Sequence, residues 1–238
     1  MYYHIVPDLK LIYAWSPKCA CTTVKSAVLM ALGHPISGNV HKDMLTKENL
    51  KSGKYGIYLL DAYTRKFDMN VQDYLKVCVI RNPYHRFVSA IRQRSRRLSK
   101  TKKFCGMTAA GYLEYMESND FGEDHHFHPQ TRNLRQFAFD RVLDISEMGV
   151  LFEILNLEYH GQKFGGHGTT YSEEESVLRA VSLLDLSKIK VFPEKIHSWL
   201  DDARVAKLRA LYAGDFDFAQ RHGCDYELPP KNINDVGR

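Results

Sequence analysis

The chain passes from a strand-like run to a helix-like run at Ser16-Pro17-Lys18-Cys19-Ala20-Cys21-Thr22-Thr23-Val24-Lys25. Residues 9–15 before this junction are apolar and rich in aromatic and β-branched side chains, which predicts a buried strand. Residues 22–32 are predicted as a helix that ends at Gly33. A sharp strand-to-helix turn exposes backbone N–H groups at the positive end of the helix dipole, where a phosphate can bind.

A second junction of the same kind is Val79-Ile80-Arg81-Asn82-Pro83-Tyr84-His85-Arg86-Phe87-Val88-Ser89-Ala90. Residues 74–80 are the clearest strand candidate, because they are mostly apolar and β-branched. Asn82 can cap a helix and Pro83 suits its first position. We therefore predict a helix from this point to about residue 98.

Both junctions offer side chains that bind phosphate. At the first, Lys18 supplies a full charge, and Thr22 and Thr23 supply hydroxyl donors. At the second, Arg81 follows the strand end, where open α/β sheets bind ligands, and Ser89 lies about two turns into the helix. A guanidinium with a hydroxyl forms a good phosphate pocket. Taken singly, the junctions also fit an ordinary turn with a surface lysine and an arginine in a surface ion pair.

Weaker patterns complete the predicted order of elements. Helices are predicted at residues 43–51, 108–118, 146–156, 172–184 and 199–212, and another strand at residues 55–60. Residues 120–129 and 161–170 are predicted as a histidine-rich loop and a Gly-rich loop, 134–139 as the start of another element, and 228–238 as a frayed tail. Because strands alternate with helices, we expect an α/β fold. Its P-loop-like parallel sheet should be flanked by helices on both faces, in one domain over residues 1–238.

The composition is typical of a globular protein that binds an anion. Apolar residues make up 44% of the 238 residues, and the net charge of +5 suits an anionic ligand without indicating a nucleic-acid binder. Five cysteines without a Cys-x-x-Cys pattern predict reduced thiols. No apolar run approaches the ~18 residues of a membrane span, and the N-terminus does not resemble a signal peptide. We therefore expect a soluble protein, cytoplasmic or otherwise, with no membrane segment.

Together the two junctions resemble the sulfotransferase superfamily, whose donor is 3′-phosphoadenosine-5′-phosphosulfate (PAPS). The run Pro17-Lys18-Cys19-Ala20-Cys21-Thr22-Thr23 resembles the family loop for the 5′-phosphosulfate. The run Arg81-Asn82-Pro83-x-x-Arg86-x-x-Ser89-Ala90 resembles its 3′-phosphate motif. The nearest likeness is to carbohydrate sulfotransferases of the chondroitin and dermatan 4-O group. Weaker likenesses are His126-Phe127-His128-Pro129-Gln130 and residues 211–218.

The resemblance implies in-line transfer of a sulfuryl group from PAPS to a hydroxyl, which we expect to belong to a carbohydrate. The loop from Pro17 to Thr23 would hold the 5′-phosphosulfate, and Arg81 and Ser89 would hold the 3′-phosphate of the product PAP. Lys18 would stabilise the leaving oxygen, because such transfer depends on positioning and electrostatic stabilisation. No metal is expected, since the transferred group carries less charge than a phosphoryl group.

A base for the acceptor hydroxyl is expected in the histidine-rich loop. Three histidines are candidates, because the unperturbed pKa of histidine is ~6.5: His125, His126 and His128. We choose His126, which matches the family histidine, and expect the other two to bind the acceptor. Glu123 and Asp124 stay open as alternative bases. A histidine that only packs and a zinc site of the His-His-x-His type also stay open.

Cationic residues near the second junction suit an acidic acceptor. Residues 92–103 hold seven cations, which fit either a solvated helix end or a track for an acidic glycan, with nucleic acid as a further alternative. Arg86 is expected to orient the site or to contact the acceptor.

Two other functions remain possible from the sequence. A kinase using ATP would need the Walker ending of Lys followed by Ser or Thr, which the first junction lacks. A non-catalytic module could hold acidic polymers through the basic run. The Golgi carbohydrate sulfotransferases are membrane-anchored and disulfide-bonded, and this chain shows neither pattern, so the identity of their particular glycan substrates is not transferred to it.

Overall fold

The computed structural model describes residues 3–36, 38–67, 70–98, 100, 102–104, 107–133, 138–160 and 202–226. These residues belong to two compact units. The first lies within Met1–Arg81 and Gln130–His167, and the second within Asn82–Pro129 and Gly168–Arg238. Each unit has its own core, and the two are described separately below. The expectation of one domain over residues 1–238 stays a prediction.

The first unit is built on a five-stranded sheet in the order β3-β1-β2-β4-β5. Its strands are β1 (Tyr3–Val6), β2 (Leu11–Ala14), β3 (Tyr58–Leu59), β4 (Leu75–Ile80) and β5 (Arg141–Asp144). The β2–β4 and β4–β5 pairs are parallel, whereas β1 is antiparallel to both β2 and β3. Four of the five strands therefore point the same way. The predicted α/β class and the mostly parallel sheet are confirmed, with β1 as the exception.

The antiparallel strand β1 follows from a tight reversal. A 3-10 turn at Pro7–Leu9 is closed by Lys10, whose φ of 45° is left-handed. Val6 then pairs with Leu11. All four β1 residues are buried, which includes His4, whose Nδ1 lies 2.7 Å from the Tyr13 hydroxyl.

Helices are present in both units, whereas the five described strands all belong to the first. In the first unit they are α1 (Cys21–Ala31), α2 (Lys47–Ser52), α3 (Leu60–Phe67) and α6 (Met148–Ile154). In the second unit they are α4 (Pro83–Leu98), α5 (Ala109–Ser118), α7 (Asp202–Leu211) and α8 (Ala213–Arg221). The predicted helices at 22–32, 82–98 and 108–118 are thus confirmed to within one residue at each end. The predicted helix at 43–51 is present as α2 from Lys47 onward, whereas residues 43 and 44 belong to a preceding π turn, Val40–Met44.

The core of the first unit fixes the start of α1 relative to the sheet. Val24 and Val28 of α1 pack in one buried cluster with Val77 and Val79 of β4 and with residues of α6. Burying aliphatic side chains of this size stabilises the fold by about 1.5–3 kcal/mol each. The loop that joins β2 to α1 is therefore held between two well-packed elements.

The core of the second unit is aromatic and includes the histidine-rich loop. Phe127 of that loop is fully buried beside Phe87, Tyr112 and Tyr212. The Tyr212 hydroxyl donates a hydrogen bond of 2.5 Å to the Phe127 carbonyl. Tyr212 is the residue directly before α8, and its hydrogen bond holds the backbone next to His126 in place.

Several predicted segments lie outside the described residues. They are residues 134–137, the loop at 161–170, the helix at 172–184 and the tail at 228–238. The predicted helix at 199–212 is described from Asp202 as α7. Among the residues that the structure describes, no helix has the length and apolar character needed to cross a membrane.

Candidate active site

The loop between β2 and α1 has an unusual backbone for residues other than glycine. Lys18 and Ala20 have left-handed φ values of 70° and 50°, a conformation that costs an L-residue about 1–2 kcal/mol. The Cys19 N–H closes the turn by donating 3.2 Å to the Ser16 carbonyl. Alternation of left- and right-handed residues turns successive N–H groups toward one concave side, which forms a binding place for anions.

The helix that follows adds further donors on the same side. Ala20 is the N-cap of α1, and it provides no side-chain cap. The N–H groups of Cys21, Thr22 and Thr23 therefore begin the helix without an acceptor from the N-cap side chain, at the positive end of the helix dipole. The first backbone bond of the helix runs from the Val24 N–H to the Ala20 carbonyl, at 3.0 Å. The predicted strand-to-helix turn is therefore present, and its binding of a 5′-phosphate stays a prediction.

Arg81 lies at the same edge of the sheet as this loop. It follows β4 directly, and its Nη1 donates 3.2 Å to the Lys18 carbonyl. The structure thus brings together the two cationic residues that the sequence singled out at separate junctions, both within the first unit. Both side chains are half-buried.

Gln130 joins the two segments, a role that the sequence analysis missed. Its side chain is fully buried. Its Oε1 accepts from the Arg81 N–H and from the Cys19 thiol, each at 3.2 Å, and its Nε2 donates 2.9 Å to the Arg81 carbonyl. The Gln130 amide therefore bonds both backbone groups of Arg81 at the end of β4 and links them to the loop between β2 and α1. Cys19 serves as a buried packing residue in this arrangement.

In the second unit, His126 is paired with a carboxylate. Its Nδ1 lies 2.7 Å from Asp124 Oδ1, while Asp124 Oδ2 accepts 2.5 Å from Arg94 Nε. Burial alone would raise the pKa of Asp124, but hydrogen bonds from His126 and Arg94 outweigh it and hold that pKa well below its usual range. An ionised Asp124 keeps the His126 proton on Nδ1 and leaves Nε2 as the basic nitrogen.

The other predicted residues of the second unit differ in their surroundings. Arg86 is only 1% exposed and donates 3.3 Å to the His126 carbonyl, which favours its predicted orienting role over contact with the acceptor. Nε2 of His128 lies 3.0 Å from the Gly122 carbonyl. The His125 side chain is exposed by surface area, but its ring is partly surrounded by protein. This partial burial, followed by repulsion from His126, lowers the pKa of His125. Ser89 is half-buried on α4, and its pairing with Arg81 stays a prediction.

Within the part of the chain that the structure describes, one group of residues has ligand atoms close enough together to hold a metal ion. Asp124, His125 and His126 each offer one such atom within 4.8 Å of the others. Both Asp124 oxygens already accept from Arg94 or His126, so a cation would compete with these bonds. The expectation that no metal is needed stays a prediction.

The sheet and the strand-to-helix loop define an α/β protein of the P-loop-like class. Residues 1–159 match the model of the sulfotransferase family, which is 159 of the 238 residues. The chain belongs to this family, and the chemistry of the family is sulfuryl transfer to an acceptor hydroxyl. No curated protein and no solved structure matches the chain.

Proposed function

We propose that the protein transfers a sulfuryl group from PAPS to a hydroxyl of a carbohydrate acceptor. The observation that carries the proposal is the contact between Arg81 and the loop from Pro17 to Thr23, which we call the phosphate loop. Gln130 braces this contact, and the chain belongs to the sulfotransferase family. A left-handed loop, uncapped helix donors and two cations suit the phosphates of such a donor.

Each residue of the loop has a proposed task. The N–H groups from Ala20 to Thr23 and the two threonine hydroxyls bind the 5′-phosphate. Pro17 and Cys19 shape the turn, since the Cys19 N–H, first expected to bind the phosphate, donates to the Ser16 carbonyl. Arg81, together with Ser89, binds the 3′-phosphate. PAPS supplies an activated sulfuryl group when bound. The Lys18 ammonium stabilises the negative charge that develops on the bridging oxygen as its bond to sulfur breaks.

His126 is the proposed base. As the acceptor oxygen forms its bond to sulfur, the hydroxyl proton moves to Nε2 of His126, and Asp124 stabilises the imidazolium that results. The depressed pKa of Asp124 makes that carboxylate itself a weak base. His125, His128 and Arg86 are proposed to bind or orient the acceptor.

The carbohydrate acceptor is proposed from the likeness of both junctions to the 4-O group. The cations of residues 92–103 other than Arg94, which pairs with Asp124, support an acidic glycan, since excess positive charge raises the local concentration of an anionic substrate.

Calorimetry with PAP and a transfer assay with radiolabelled PAPS test the proposal. We expect PAP to bind in the presence of EDTA, and sulfate to pass to members of a panel of acidic glycans. Lys18→Ala should reduce turnover by about 10²-fold or more, whereas the exposed Lys47→Ala serves as a matched control. Binding of ATP with magnesium in preference to PAP, or unchanged turnover in Lys18→Ala, would contradict the proposal.

A further inference from the structure

A buried lysine lies one helical turn beyond the phosphate loop. Lys25 of α1 is only 2% exposed. Its Nζ lies 3.0 Å from Nδ1 of His41 and 3.5 Å from the centroid of the Trp15 ring. An ammonium over an indole face is a favourable cation–π contact. Lys25 is therefore a cation inside the first unit, and the reaction proposed above gives it no task.

His41 connects this lysine to the loop. Its other ring nitrogen, Nε2, lies 3.0 Å from Thr22 Oγ1. His41 belongs to the π turn Val40–Met44, where the Asn39 side chain accepts from the backbone N–H groups of His41 and Lys42. The ring thus has a defined place. Its Nδ1 faces Lys25, and its Nε2 faces Thr22 Oγ1, with Cys21 Sγ farther away at 3.8 Å.

The direction of the hydrogen bonds follows from the chemistry of an ammonium. A charged lysine is only a donor, so Nδ1 of His41 must accept. A neutral imidazole then carries its proton on Nε2, which donates to Thr22 Oγ1. Thr22 Oγ1 then uses one lone pair to accept from His41, and the proton of the Thr22 hydroxyl can be donated to a different acceptor. An anion beside the loop is such an acceptor.

We propose that Lys25 and His41 are positioning residues that set the Thr22 hydroxyl as a hydrogen-bond donor to the 5′-phosphate. This inference rests on the proposed function, because it takes the bound anion to be the nucleotide phosphate. Without the ammonium, His41 can hold its proton on Nδ1. Thr22 would then donate to Nε2 and present lone pairs to the phosphate, which repels them.

The surroundings of Lys25 make the arrangement sensitive to pH. Burial lowers the pKa of Lys25 to about 8, opposed by the nearby Cys21 of α1. The titratable groups around it are His4 of β1, Tyr13 of β2, Cys21 and His41. Burial lowers the pKa of His4 and raises that of Tyr13, so both stay neutral near neutral pH. Loss of the Lys25 proton above pH 8 should therefore weaken PAP binding.

A double-mutant cycle tests whether Lys25 acts through Thr22. Calorimetry at pH 7 would compare PAP binding by four proteins of full length: wild type, Lys25→Met, Thr22→Val and the double variant. We expect Lys25→Met to raise the Kd about tenfold, the weight of a hydrogen bond to a charged group. In the Thr22→Val background the same change should have less than about a twofold effect.

The outcomes separate this inference from the proposed function. An undiminished effect of Lys25→Met in the Thr22→Val background would show attraction by charge alone and overturn the inference. A wild-type Kd that is the same at pH 7 and pH 9 would also overturn it. A rise in Kd from pH 7 to pH 9 supports it if Lys25→Met abolishes the rise and Cys21→Ala, which removes the thiol beside His41 Nε2 without adding a hydroxyl, keeps it. Absence of PAP binding by wild type would instead refute the proposed function. His41→Leu gives a second way to break the same connection if Lys25→Met does not fold.

Discussion

Gln130 shows how much one buried amide can organise. It satisfies both backbone groups of Arg81 and accepts from the Cys19 thiol. Its partners are 49 and 111 residues away in the chain, so no local sequence pattern could reveal them. The only signal was its place at the end of the weak family likeness over residues 126–130. The positions of Lys18 and Arg81 were predictable because each follows a strand, while their binding of phosphate stays a prediction.

We predict that Gln130→Leu destabilises the protein and weakens PAP binding. A leucine side chain cannot form hydrogen bonds, so the Arg81 N–H and C=O would lose their bonds to the buried Gln130 amide. The expected loss of stability is about 2–3 kcal/mol. Urea denaturation and calorimetry with PAP would measure the two effects. Gln72→Leu changes an exposed glutamine and is the matched control. Equal stability of the two variants would contradict the bracing role of Gln130.

At Lys25 we predict that stability and ligand binding change in opposite directions. The pKa of Lys25 is about 8 in the fold, against ~10.4 in an unfolded chain. Below pH 8 the fold therefore carries the full cost of a buried charge, on the order of 3 kcal/mol, and the wild type gains stability as the pH rises from 8 toward 10.

Lys25→Met should accordingly unfold at a higher urea concentration than wild type at pH 7, and the difference should shrink by pH 9.5. Lys47→Met, at an exposed lysine of α2, should change stability by less than about 0.5 kcal/mol at both pH values. A less stable Lys25→Met at pH 7 would mean that the contacts with His41 and Trp15 outweigh the cost of burial.

The helices and strands with the clearest sequence patterns were the ones predicted correctly. The strand β4 and the helix α4 were predicted because an apolar run meets Asn82-Pro83, and Asn82 Oδ1 indeed accepts from the Tyr84 N–H. The strand β5 was missed because it has only four residues and begins with an exposed arginine. The strand β1 was missed because His4 is polar, although Tyr13 pairs with it in the core. A predicted strand at 55–60 was too long, since α3 already begins at Leu60.

The histidine-rich loop supports a prediction about catalysis. Asp124→Asn should lower turnover by about 10²-fold or more, because an amide can donate to Nδ1 and move the His126 proton to Nε2. PAP affinity should stay within about twofold of wild type. Pre-steady-state sulfate transfer and calorimetry would separate the two quantities.

Arg94→Gln is the control, since it removes the second partner of Asp124 but keeps the pair with His126. The pKa of Asp124 lies below its unfolded value, so its contribution to stability is present above about pH 4 and is lost as the pH falls further. Unchanged turnover in Asp124→Asn would remove this pair from the mechanism.

For the whole molecule we expect one cooperative unfolding transition, and stabilisation by PAP that needs no metal ion. A single domain over residues 1–238 should unfold in one transition, although its residues divide into two compact units. At a PAP concentration of about 100 Kd, stability should rise by about 2.7 kcal/mol and the Tm by roughly 5–10 °C, with or without EDTA.

Calorimetric scanning with and without PAP checks both expectations, and adenosine is the control ligand. Two transitions, of which PAP shifts only one, would show separate domains. A Tm shift that EDTA abolishes would indicate a metal at Asp124, His125 and His126.

The brace at Gln130 also bears on how the protein is made. Cys19 leaves the ribosome long before its partner, because 111 residues separate them. At ordinary elongation rates of about 5–20 residues per second, the delay is on the order of ten seconds. During that interval the nascent loop has the correct residues but not the amide that holds it against Arg81. Donor molecules in the cell should therefore not be captured by the growing chain until synthesis has passed this glutamine.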